Sequence, residues 1–154
     1  MSLILDLYKS VGNEGFGKVV SSQAPYFSTI DPQFVCVKPG HVEAIIKNCK
    51  KIHNHLGTVH AAAMCNAAEL VGGIMTDVTL PDERRWIPSA MDVKYLVKAK
   101  TDLRAVADGS GIDWSNVGEI VVPVEIFDTE DTKVFTAKIT MNIKLKGQGK
   151  KELP

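Results

Sequence analysis

Residues 54–73, NHLGTVHAAAMCNAAELVGG, narrow what this chain can fold into. They open as a polar turn around Gly57 and become an Ala-rich run with one acid, Glu69, inside it. Alanine is the strongest helix former, and Thr58 carries an N-cap side chain, so a helix is expected over about residues 59–76. Its first turn would aim unpaired backbone N–H groups at whatever lies above it. Such a helix is apolar nearly all round and needs wrapping, which a curved antiparallel sheet does most simply. Glu69 lies between Ala67, Ala68, Leu70 and Val71. On the sequence alone it reads as a buried acid whose apolar setting raises its pKa. Gly72 and Gly73 each cost roughly 1 kcal/mol against Ala within a helix. They imply that a sheet, or less readily a ligand, comes close to the helix backbone.

The flanking sequence supplies the wrapping. Residues 3–11 have the apolar spacing of a short amphipathic helix, which Gly12, Gly15 and Gly17 interrupt. A second short helix is expected over 18–24, stopped by Pro25, with Tyr26, Phe27 and Ile30 as a packing segment. Residues 34–37 and 42–48 read as two strands around a Pro39-Gly40 turn. After the helix come four longer strands, over 86–97, 100–107, 118–127 and 135–146. Pro88 makes the first of them irregular or an edge. In the last, Phe135, Ala137, Ile139, Met141, Ile143 and Leu145 alternate with polar residues, so one face is buried. The whole is one α+β domain, with an N-terminal helical segment 1–30, a core 34–146 and a basic tail 147–154 expected to fray.

At 154 residues the chain is long enough for one substantial core. Its formal net charge of zero argues against nucleic acid as a partner. Three cysteines, Cys36, Cys49 and Cys65, form an odd set that fits a reducing compartment better than a disulfide framework. No apolar run is long enough to span a bilayer. Asp6 and Lys9 interrupt the apolar start, unlike a signal peptide. A cytoplasmic protein without membrane partners is expected. His41, His53 and His55 read as loop residues whose spacing makes no zinc set, so no metal is expected.

Asn54, Gly57, His60-Ala61-Ala62 and Glu69, with Tyr95-x-x-x-Ala99 downstream, resemble the hotdog-fold acyl-CoA thioesterases of the phenylacetic-acid-pathway type. Asn54 precedes His60 by 60 − 54 = 6 residues and Glu69 follows it by 69 − 60 = 9, offsets the family shares. The resemblance spans about residues 35–145 and implies a long central helix wrapped by a curved sheet. It implies a thioesterase acting on an acyl-CoA, with coenzyme A as part of the substrate and no cofactor. Glu69 would be general base or nucleophile, Asn54 would position water or the carbonyl, and His60 would shape the helix entry. The Ala61 N–H would be the oxyanion donor, with Gly57 in the substrate-binding turn. The family's Gly-Gly is Ala61-Ala62 here, which keeps the N–H but adds two methyl groups over the helix start.

Spacing adds a constraint of its own. Ala61 and Glu69 are 69 − 61 = 8 residues apart, about 12 Å along a helix, too far to serve one carbonyl. Two antiparallel helices about a two-fold axis could share the task, so an enzyme of this kind should be a homodimer, with a tetramer as a further assembly. Each residue also has a plainer reading: Glu69 as a paired acid, Asn54 as a turn residue, His60 as a structural histidine and Cys65 as packing. The rival function is a non-catalytic acyl- or CoA-binding hotdog protein. A hotdog dehydratase is disfavoured, because its His and acid motif is missing.

Overall fold

In a computed structural model, residues 2–147 are described; the tail expected to fray lies, from residue 148 on, outside them. Helix α1, Leu3–Gln23, is capped by Ser2, whose Oγ accepts the Leu5 N–H at 3.4 Å, and breaks only at Gly12, where φ is 69° and ψ −178°. Its second piece therefore starts earlier than the expected residue 18. Gly15 and Gly17 stay helical, because Phe16 between them is fully buried against the edges of Tyr8 and Phe34 at 5.2 and 4.8 Å. At Gly17 a Cβ would stand 2.1 Å from the Pro32 carbonyl oxygen. Gly17→Ala gains about 1 kcal/mol of helix propensity, yet overpacking is expected to win and lower stability by about 1–3 kcal/mol. Urea unfolding reads this as a lower midpoint, and an unmoved midpoint would refute so close a contact.

A 3-10 turn over Pro25–Thr29 follows, the expected packing segment. The hairpin β1 (Gln33–Lys38) and β2 (His41–Ile46) turns at Gly40, whose φ of 78° suits glycine. After helix α2, Ala61–Thr79, come β3 (Arg84–Tyr95), β4 (Leu103–Asp108), β5 (Gly118–Phe127) and β6 (Lys133–Leu145). They form one six-stranded antiparallel sheet in the order β1-β2-β4-β5-β6-β3, with β3 on an edge and its register shifting after Pro88.

The β6 alternation holds: Phe135, Ala137, Ile139, Met141 and Ile143 are buried, with Val122, Val124 and Ile126 of β5 on the same core. Against it lies α2. A Cβ on Gly72 would meet Ile139 Cδ1 at 2.9 Å, and one on Gly73 would meet the Trp86 ring at 2.9 Å. The two glycines thus let side chains of the sheet reach the helix backbone. This is the hotdog arrangement expected from the sequence.

Several boundaries move, among them β3, which runs over 84–95 rather than 86–97, and β2, which ends at Ile46 rather than at 48. Helix α2 begins later than residue 59, because His60 and not Thr58 is its N-cap, and it runs on past residue 76 to Thr79. Strand β4 begins at Leu103 rather than at 100. The Asp102 carboxylate accepts the Asn48 N–H at 2.8 Å and pairs with Lys47 at 3.0 Å, while Asn48 Nδ2 donates to the Lys100 carbonyl at 2.9 Å. These bonds draw 100–102 into a loop, and the Asn48 N–H, followed by Lys47, holds the Asp102 carboxyl below its usual range. His41 opens β2 instead of lying in a loop and meets Glu43 at 3.0 Å. Among the described residues no helix is long and apolar enough to cross a membrane.

Candidate functional site

The loop before α2 is held by its own side chains. Asn54 Oδ1 accepts the N–H groups of Leu56 and Thr58 at 3.0 and 3.2 Å, and Asn54 Nδ2 donates to Thr58 Oγ1 at 2.8 Å. The Asn54 N–H donates to the Thr58 carbonyl, and Gly57, at φ 74°, supplies the left-handed residue the turn needs. Thr58, read from the sequence as the helix cap, is instead buried as the partner of Asn54. Val59 then donates to the Ala99 carbonyl and His60 to that of Ile52, both at 2.8 Å, which fixes the direction in which the helix starts.

At that start three N–H groups are satisfied. His60 Nδ1 accepts from Ala62 at 3.0 Å, while Ala63 and Met64 donate to the His60 carbonyl. The Ala61 N–H finds no acceptor among the described residues. Ala61 lines a cleft of about 400 Å³ together with Asn54, Leu56, Thr58, Tyr95, Val97 and Lys98. A positive helix end with one free donor is ready for an oxyanion.

His60 acts here as a cap, and a capping Nδ1 must be unprotonated. His60→Ala is expected to cost about 1 kcal/mol of stability, the usual value of a helix cap. His60→Asn keeps the acceptor and should restore it. Thermal or urea unfolding of the pair checks this, and equal stability of the two variants would show that the cap carries nothing.

Glu69 departs from the sequence reading: it is exposed, not buried. On a helix its apolar neighbours in sequence point about 100° away on either side, so they do not enclose it. No described residue bonds to its carboxylate. It shares an outward stripe of α2 with half-buried Ala61 and Cys65 and exposed Ala62. Cys65 Sγ lies 3.5 Å from the hydroxyl of Tyr95, and that contact, with burial second, pushes the Tyr95 phenol above its usual range. Beside this stripe runs the open edge of β3, whose Ile87 and Tyr95 are 62% and 55% exposed.

Within one chain, then, the structure gathers Asn54, Gly57, His60 and Ala61 at the start of α2, and leaves Glu69 two turns further along. Tyr95 was marked in the sequence only as part of the Tyr95-x-x-x-Ala99 stretch, and its contact with Cys65 on this face comes from the folding of β3 against α2. Among the described residues no group of three or more His, Cys, Asp or Glu side chains could hold a metal.

A family model described as a domain of unknown function, DUF4442, matches residues 12–143. No curated protein matches. Among solved structures, the genomics target APC5556 is 48% identical with a TM-score of 0.86, covering 92% of this chain and 96% of its own. A probable thioesterase of unknown function from Pseudomonas aeruginosa, PA5026, is 17% identical with a TM-score of 0.74, over 87% and 99% of the two chains. The protein smu.793 from Streptococcus mutans, solved bound to acetyl CoA, is 19% identical with a TM-score of 0.65, over 74% and 89%.

Proposed function

The chain belongs to the DUF4442 family and has the hotdog fold, and from that footing we propose that it hydrolyses an acyl-CoA thioester at two equal sites of a homodimer. The observation that carries the reading is a pair of unpartnered groups on one outward stripe. The Ala61 N–H and the Glu69 carboxylate are each without a bond among the described residues, at the eight-residue offset that antiparallel helices can turn into a shared site. Exposed apolar side chains on the β3 edge support a partner there, since a surface of that kind favours burial. The fold shared with a probable thioesterase, and with a protein solved holding acetyl CoA, is consistent with the substrate class.

In the proposed reaction the thioester carbonyl oxygen accepts the N–H of Ala61 of the partner subunit. Glu69 takes a proton from a water whose oxygen bonds to the carbonyl carbon. The tetrahedral oxyanion is held by that N–H and by the positive helix end. When it collapses, the C–S bond breaks and the thiolate takes up the proton, leaving a carboxylic acid and coenzyme A. Asn54 shapes the loop that sets the helix start, and its second Nδ2 hydrogen, which bonds to no described residue, would serve the pantetheine or the carbonyl. His60 caps the helix and takes no proton.

The second reading is an acyl- or CoA-binding protein without turnover, favoured by the methyl groups of Ala61 and Ala62 over the helix start. Thiol release measured across acyl-CoAs from short aliphatic to aromatic separates the two. Release expected from at least one of them supports hydrolysis, and acyl-CoA binding with no release from any would leave the binder.

A further inference from the structure

Glu69 sits at the rim of a second cleft, one that leads away from the helix start. About 250 Å³ in volume, it is walled mainly by Val20 of α1 and Ala24 just after it, Phe27, Leu70 and Ile74 of α2 and Trp86 of β3. It follows α2 from Glu69 past Gly73 to Asp77, positions i, i+4 and i+8 on one helix face, about 12 Å in all. Gly73 lets the Trp86 ring lie on the helix backbone and form the wall. The far end is latched. The two Asp77 carboxylate oxygens accept from Ser2 Oγ and from Trp86 Nε1, each at 3.2 Å, which ties α1, α2 and β3 together. Past this latch opens a wider cleft of about 760 Å³, bordered by Leu3, Ile4, Leu80 and Pro81 as well as by Arg84, Arg85 and Lys146, so the latch itself is what divides the two.

We propose that this cleft is the acyl-chain subsite, and that the Ser2–Asp77–Trp86 latch limits the chain to medium length. The inference rests on the hydrolase reading, in which the reacting carbonyl is placed beside Glu69. The sulfur side of that carbonyl leaves toward the helix start, and the other substituent faces an apolar cleft crossed at its far end by the latch. Its volume accommodates about eight groups of water or methylene size, at roughly 30 Å³ each. The class is therefore a linear acyl group of about eight carbons, held by apolar contact alone.

The test has two arms on the intact protein. In the first, 8-bromooctanoate is titrated against tryptophan fluorescence, since a heavy atom in the cleft would lie against Trp86. Saturable quenching is expected, with affinity at least tenfold weaker in Ala24→Leu and in Ile74→Phe, which fill the cleft from its two sides. Quenching that is not saturable, or that is equal in parent and both variants, overturns the subsite. In the second, thiol release is compared over straight-chain acyl-CoAs from two to sixteen carbons. A maximum near octanoyl, with the octanoyl-to-acetyl ratio at least tenfold lower in both variants, supports the proposal, and a flat profile overturns it. Saturable quenching without thiol release from any substrate would remove the hydrolase reading while leaving a chain-binding cleft.

Discussion

Glu69→Gln is expected to cut thiol release by about 10²–10⁴-fold, the usual contribution of a positioned base, while acyl-CoA binding changes little. The substitution keeps shape and hydrogen-bonding reach and removes only the charge. Because Glu69 is exposed and bonds to no described residue, the folded state should lose no more than about 0.5 kcal/mol. Loss of turnover therefore cannot be blamed on unfolding, and thermal melts of both proteins confirm the comparison. The loss should fall on kcat with KM little moved, because the carboxylate acts on the developing bond and not on bound substrate. A variant that keeps more than a tenth of parental turnover would remove Glu69 from the chemistry. It would leave the free Ala61 N–H as a binding feature alone.

That test matters because Glu69 is where the structure departs furthest from the sequence reading. Its place as the one acid of the run, nine residues after His60, singled it out, but its apolar neighbours in the chain suggested a burial it does not have. Adjacent residues on a helix diverge by about 100°, so Ala68 and Leu70 are buried and Glu69 between them is exposed. The strands were more legible. A period of two assigns faces directly, and β5 runs over residues 118–127 as expected, with β6 buried on the face the alternation marked. What the sequence could not place were boundaries set by side chains from elsewhere. The Asp102 side chain accepts the Asn48 N–H just past the neighbouring strand β2 and delays β4. His60 displaces Thr58 as the cap because Asn54 has already engaged the threonine. The clefts were hidden for the same reason, since Ser2, Asp77 and Trp86 meet only in three dimensions.

The composite site can be tested by mixing two inactive proteins. Ala61→Pro removes the N–H proposed as oxyanion donor, and the position tolerates it. Ala61 is the first helical residue, where proline costs no helical hydrogen bond. His60 before it already has φ −65° and ψ 140°, the extended conformation that a following proline favours. The variant should fold as the parent does and lose about 10²–10³-fold in turnover, the usual cost of one oxyanion donor. Glu69→Gln fails for the other reason. In a mixed dimer, one site has Glu69 from the proline subunit and Ala61 from the glutamine subunit, and so is whole, while the other has neither. Random exchange of equal amounts makes half of the dimers mixed, each with one working site of two, so about a quarter of parental activity should return. Recovery requires that the donor and the acid come from different chains. If both acted within one chain, no combination of the two variants would contain a whole site. Activity of the mixture would then stay at the sum of its inactive parts, even with exchange confirmed by native mass spectrometry of differently tagged subunits.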